Sequence, residues 1–446
     1  MPSAKRLFSF GAAPLELAGI QLARDKQRTR SMPSLFERKV MRMRASAVGF
    51  LRGAAPLFYE LCPDDIREGP PGEGWLTGDL HVENFGVYRT APVDLLQRAR
   101  ATNVTFDLND FDDAVVGPWR LDVLRLLTSL ILAARGFGAS GERTVTLAHA
   151  MLQAYVESAF DVRKPVVIKG AVVRGKPGVT RVAPPPPVPI AQLLARASGR
   201  TRRALLDART TKTSVGRRLV RNGARYVDLA PSVDAAARKV FRIYAREVQG
   251  KYGLPDEYFE VVDTAFRIAG TGSLGTLRIA VLARGKGGAD GNWIFDMKAQ
   301  GEPSAVAFGK LRTSGPKAAP AERVLTAMQH CLEQPPHMAG TVRLGKESML
   351  VRRLAPQEDK LNLAHVADSE IEPMARYLGA LTGAAHRRGA VKKTPRAWTS
   401  AACEQLLDRA FALAGMHEAV YLAYVRLTEP VGRASAPART RGRRIG

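Results

Sequence analysis

The sequence predicts an α+β protein of two lobes, a helical lobe first and a strand-rich lobe second. Three observations predict it. Residues 120–138 ("RLDVLRLLTSLILAARGFG") carry Leu121, Leu124, Leu127 and Ile131 at helical spacing and are apolar nearly all round, as a buried central helix is. From about residue 258 the β-rich runs "YFEVVDTAFRIA", "TLRIAVLAR" and "NWIFDMKA" alternate with glycine-rich turns. Helical patterns then return at 370–388 and 398–427.

The remaining elements follow in order. Residues 1–35 read as an N-terminal extension. Residues 36–162 form the helical lobe: one or two helices over 36–62, the central helix ended by Gly136 and Gly138, and a further helix over 141–160. A basic insertion spans 163–232, with "APPPPVP" extended and solvated and a helix near 190–208. The strand-rich lobe covers 233–356, with a helix over 320–333 and a hairpin made by "GTVRLG" and "SMLVRRLA". Residues 357–430 supply helices that pack back on the helical lobe, and 431–446 form a basic tail.

Composition narrows the function classes. At 446 residues and 46% hydrophobic content the chain is expected to fold around more than one core. Its longest apolar runs fall short of a bilayer span, and Pro14 and Glu16 interrupt the apolar N-terminus, so neither membrane insertion nor export is expected. Cys62, Cys331 and Cys403 are odd in number and far apart, which argues against a disulfide framework or a zinc site and for a reducing cytoplasm. The net charge is +25, and residues 163–225 hold sixteen Lys/Arg against one acid, Asp207. Such a run can meet nucleic acid or another polyanion, but with no nucleic-acid module beside it a solvated basic surface is the favoured reading.

The chemistry concentrates in "WLTGDLHVENFGVY". Asp79 and Asn84 stand five apart, the spacing of kinase-type catalytic loops, in which the aspartate takes the acceptor hydroxyl's proton and the asparagine holds a metal ion. Downstream, "VTFDLNDFDDA" places Asp107, Asp110, Asp112 and Asp113 after a β-branched run, where carboxylates can complete a magnesium site. His81 is expected to fix the loop backbone, because the Cys-x-x-Cys half of a zinc deaminase signature is missing.

A nucleotide-holding segment comes later. Gly270, Gly272 and Gly275, with Ser273 among them, form G-x-G-x-x-G between two strands, and Lys298 lies on a third. Glycines let backbone N–H groups approach phosphates, and the lysine neutralises them. The rival reading, a dinucleotide-binding turn, needs a helix directly after the glycines. Glu322 on the following helix is the candidate partner of Lys298.

These residues carry a resemblance. "GDLHVENFG" is similar to the "HGDLHPGN" loop of aminoglycoside phosphotransferases and choline-kinase-like enzymes, and "DFDDA" to their "IDFGDA". "YLGALTGAAHRRG" resembles the helix that precedes that loop. Thr77 departs from the pattern, standing where those enzymes have histidine. The resemblance implies a protein-kinase-like fold in which Asp79 is the catalytic base, Asn84 and Asp110 are the magnesium ligands, and Asp122 steadies the catalytic loop; Asp112, among the carboxylates after the strand, is a further candidate metal ligand. It implies ATP and Mg2+ as cofactors and phosphoryl transfer to a hydroxyl-bearing acceptor, a small molecule before a protein. Nucleotidyl (AMP) transfer and a non-catalytic nucleotide-sensing or polyanion-binding module are the alternatives. The nucleotide lobe follows the catalytic loop here, so the resemblance also implies a circular permutation. Residues 36–425 further resemble a bacterial family known as domain of unknown function 2252. The geometric expectation is that Lys298 and Asp110 face one cleft, with Asp79 and Asn84 on its floor and the glycine loop above.

Overall fold

The structure is a computed structural model, and it describes residues 13–62, 69–90, 104–161, 185–309, 311, 318–361 and 366–429. Most of the basic stretch before residue 185 and the tail beyond 429 lie outside the described residues.

Four helices come first: α1 (Ala13–Arg28), α2 (Ser34–Arg44), α3 (Ala47–Gly53) and α4 (Ala55–Leu61). The span expected to hold one or two helices holds three, because Ser46 caps α3 and Pro56 opens α4. Residues 13–35, the described part of the segment read as an extension, are built into the fold. Leu17 and Ala18 of α1 enter the largest core, while Leu35 packs with Ile268 and Leu274 of the later lobe.

Strands β1 (Glu73–Leu76), β2 (Phe85–Arg89), β3 (Val104–Leu108) and β4 (Val115–Pro118) follow. Leu76 pairs with Val115 and Phe85 with Leu108, both antiparallel. The loops 77–84 and 109–114 therefore leave matched strand ends and lie side by side. Helix α5 (Arg120–Gly136) is central, with every residue from Arg120 to Ala134 buried. Helix α6 (Gly141–Phe160) runs beside it.

Helices α7 (Val188–Ser198) and α8 (Arg202–Arg209), the hairpin β5 (Thr210–Thr213) and β6 (Gly216–Leu219), and the short β7 (Tyr226–Val227) make up the described part of the basic segment. This part is anchored at both ends. Ile190 and Leu193 join the main core, and Leu206, Leu219 and Tyr226 pack on the second lobe. The 22-residue α9 (Pro231–Tyr252), absent from the sequence reading, lies across the outer face of the second lobe through Phe241 and Tyr244.

That lobe contains β8 (Val261–Arg267), β9 (Arg278–Ala283), β10 (Trp293–Gln300), α10 (Ser304–Ala307), α11 (Pro320–Cys331), β11 (Ala339–Leu344) and β12 (Glu347–Leu354). Its sheet is antiparallel in the order β11-β12-β10-β9-β8-β7. The chain returns through β13 (Asp359–Lys360), which pairs with β2, into α12 (Asp368–Arg388) and α13 (Ser400–Leu427). Gly379 and Gly383 let α12 lie directly on α6, where a Cβ would come within 2.2 Å of the Met151 carbonyl oxygen and 2.5 Å of that of Tyr155. The end of α12 then meets β1: Trp75 N–H donates to Gly389 O at 2.9 Å and Val391 N–H to Glu73 O at 3.2 Å.

His417 on α13 is buried against Phe58, and neither ring nitrogen has a hydrogen-bond partner. Burial, assisted by Arg125, pushes its pKa down to about 3. The unfolded chain takes up this proton below about pH 6.5 and the folded chain does not, so stability falls as pH drops, by up to about 1.4 kcal/mol per pH unit. His417→Phe is expected to flatten that slope between pH 6.5 and 5 in urea unfolding.

Candidate active site

Loop 77–84 is fixed from every side. Asp122, fully buried in the first turn of α5, accepts Thr77 N–H at 2.7 Å, the Thr77 hydroxyl at 3.0 Å and Gly78 N–H at 3.0 Å. His386 at the end of α12 places Nε2 3.3 Å from the same carboxylate, while its Nδ1 meets the Tyr155 hydroxyl at 3.0 Å. Tyr59 donates to Gly78 O, and Ser129 accepts Val82 N–H at 3.0 Å. Gly78 has φ +77° and lies so close to Asp113 that a Cβ would sit 2.0 Å from its carbonyl oxygen. Only glycine fits there.

His81 accepts Glu83 N–H on Nδ1 at 3.1 Å, the backbone role expected of it, and burial holds the ring neutral by lowering its pKa well below the usual range. Asn84, itself buried, donates its amide to Asp79 O at 2.7 Å, and its own carbonyl accepts Asn109 N–H at 3.0 Å, which ties the two loops together.

The Asp79 carboxylate pairs with Arg125, a guanidinium buried one turn beyond Asp122 and stacked over Phe58 at 4.8 Å. Burial raises the Asp79 pKa to about 7; Arg125 opposes this, and Asp113 and Asp110 add to it. A carboxyl in that range can take a proton near neutrality. Arg125 escaped the sequence reading. Its signal was the three-residue step from Asp122, which places both side chains on the face of α5 that meets the loop.

The second lobe reaches the same place. Lys298 on β10 pairs with Asp112, and Gln300 Nε2 donates to Asp112 Oδ1 at 3.0 Å. Ser304 N–H donates to Asp113 Oδ1 at 2.6 Å. Burial works against the Asp110 carboxylate, but Lys298, Lys360, Arg278 and Arg352 outweigh it and hold its pKa below the usual value. Burial likewise lowers the Lys298 ammonium, with Asp110 opposing.

The structure thus brings Asp79, Asn84, Asp110, Asp112 and Lys298 together. One expectation is corrected. Glu322 does not pair with Lys298; it stands at the third position of α11 and accepts Ala319 N–H at 3.3 Å, captured by its own helix N-terminus. Asp112 supplies the counter-charge instead. Among the described residues no three His, Cys, Asp or Glu side chains gather as a ready metal cage.

The glycine loop runs strand to strand, from β8 to β9, with no helix after Gly275. That removes the dinucleotide-turn reading, which needs one. Gly270 and Gly275 have φ of +81° and +94°, and the Ser273 side chain folds inside the loop, 2.6 Å from where a Gly270 Cβ would be. Arg42 donates to Gly270 O, while Arg28 and Lys39 donate to Gly272 O at 2.8 and 3.3 Å. Arg52 O lies 2.9 Å from a Cβ built on Gly272, and the Arg52 side chain pairs with Glu83 of loop 77–84. Sequence spacing gave no hint of these helical contacts.

Comparison with protein families matches residues 30–427 to the family described as "Uncharacterized protein conserved in bacteria (DUF2252)". The chain belongs to this family. The matched span takes in both site loops, the glycine loop, Lys298 and the two last helices, so the DUF2252 region carries the whole site. No curated protein and no solved structure matches the chain. Among the described residues no helix is long and apolar enough to cross a membrane.

Asp122→Ala would leave the buried N–H groups of Thr77 and Gly78 without acceptors. The expected loss is about 2–4 kcal/mol, read as a lower urea midpoint.

Proposed function

We propose that this DUF2252 chain is an ATP- and magnesium-dependent phosphotransferase with a circularly permuted, protein-kinase-like arrangement, acting on a hydroxyl-bearing acceptor. The observation that carries the reading is the pairing of Lys298 with Asp112 beside Asp79 and Asn84. Residues from two lobes, far apart in sequence, meet where a phosphoryl group would be transferred. The order strand, glycine loop, strand, lysine strand, helix, hairpin supports a nucleotide-holding roof. The contact of Gly389 with Trp75 supports the permutation, since it joins α12 to the catalytic loop in space where the chain does not.

In this reading Asp79 accepts the acceptor's proton as its oxygen forms a bond to the terminal phosphorus. The bond from that phosphorus to the bridging oxygen breaks, and ADP leaves with the electron pair. Lys298, Arg278 and Arg352 bring positive charge to the phosphates. Asn84 and Asp110 are all-oxygen donors suited to magnesium, which needs few protein ligands when phosphate supplies the rest; bound there, it would neutralise charge on the outer phosphates. Arg125 holds the Asp79 carboxylate in place, and the loop contacts keep the base from drifting.

Calorimetry with millimolar ATP and magnesium is expected to give saturable binding, and absence of heat would end the proposal. Asp79→Asn keeps an oxygen for Arg125 and should lower turnover by about a hundredfold or more, with ATP affinity little changed. Asp110→Asn should weaken magnesium binding as well, read as a higher magnesium concentration at half-maximal activity. Mass spectrometry of extract incubated with ATP reads which acceptor gains phosphate.

A further inference from the structure

The strand register decides what stands over a bound donor beyond its phosphates. On the cleft face of the sheet, Lys298 lies beside Arg278 and Leu350. The next row toward the exit of β12 holds Asp296, flanked by Ala280 and Arg352. The row after that holds Ile294, Leu282 and Leu354. A purine or pyrimidine ring attached to phosphates at Lys298 would need an apolar slot along these rows.

The rows provide none. Asp296 is buried and saturated by two guanidiniums, Arg267 at 2.7 Å and Arg278 through its Nε at 2.8 Å. The apolar row beyond is closed by Leu206, Leu219 and Tyr226, which the basic segment packs over Ala265, Ala280, Leu282, Ile294 and Leu354. The other way out runs under the glycine loop, where Arg28, Lys39 and Arg42 hold the loop carbonyls. Along the strands, both directions away from the phosphates are lined by charge or already filled.

We infer that this site recognises its donor through the phosphates and not through the base, so that other nucleoside triphosphates and inorganic tripolyphosphate bind as ATP does. The inference rests on the phosphotransferase reading and specifies its donor class. Arg352 is the cation that tests this, because it stands beside Asp296 in register, one row from Lys298, with Glu358 3.6 Å from its guanidinium.

The test is displacement of radiolabelled ATP from the full chain, with magnesium, by GTP, CTP and tripolyphosphate. All three are expected to displace it with midpoints within about fivefold of unlabelled ATP, a spread of about 1 kcal/mol. Arg352→Gln should weaken ATP and tripolyphosphate by the same factor, on the order of tenfold. Arg352→Lys, which keeps the charge, should recover much of that loss. ATP preferred by more than about thirtyfold over GTP and tripolyphosphate would overturn the inference and leave the phosphotransferase reading standing. Tripolyphosphate that binds the chain without displacing ATP would overturn it too, as adsorption elsewhere on a +25 surface. Failure of ATP itself to bind would overturn both.

Discussion

The site depends on one buried carboxylate. Asp122 sits in the first turn of α5, buried from Arg120 to Ala134, where the helix dipole favours negative charge. It accepts two backbone N–H groups and a hydroxyl from loop 77–84, and it faces His386. A buried carboxylate is costly unless its oxygens are filled, so the loop has one conformation in which everything is satisfied. The same carboxylate links α5 to α12, which is ordered in turn by Tyr155, by Trp119 stacked on His386, and by the glycines that seat α12 on α6. Loop, central helix and C-terminal helix therefore form a unit around it.

A second constraint joins the lobes. The acidic loop 109–114 is gripped from the strand-rich side by Lys298, Gln300 and Ser304. Arg323 adds its guanidinium, donating to the carbonyls of Ala114, Asp112 (3.0 Å) and Gly301 (2.9 Å). On the opposite side α1 and α2 hold the glycine loop by its carbonyls and through Leu35 against Leu274. The excess of positive charge is accordingly not all solvated surface. Arg217 lies buried between Asp207 and Asp290, and Arg221 bridges Asp228 and Asp263, so parts of the basic segment are structural ion pairs that hold it on the sheet. Electrostatically, the carboxylates of loop 109–114 face cations of the sheet, Lys298 on Asp112 and Arg278 and Arg352 beside Asp110.

Sequence alone determined the local elements and the residue types of the site. The apolar circumference of 120–134 required a buried helix, the glycine-punctuated β runs required an antiparallel sheet, and "GDLHVEN" and "NDFDDA" announced their loops because short polar runs between apolar anchors have few other uses. Only the tertiary structure decided the partners. The step from Asp122 put Arg125 on the loop-facing side of α5, but its pairing with Asp79 across 46 positions follows from helix packing. Asp112 stands beside Lys298 where Glu322 was expected, while Glu322 accepts Ala319 N–H at its own helix N-terminus. Helix α9 was legible and missed: Ala237, Phe241, Tyr244, Ala245 and Val248 stand at helical spacing, and the structure packs Phe241 on Phe259 and Phe295. Local pattern follows from the chain's own periodicity. Which charge meets which is settled only when long-range packing removes the water between them.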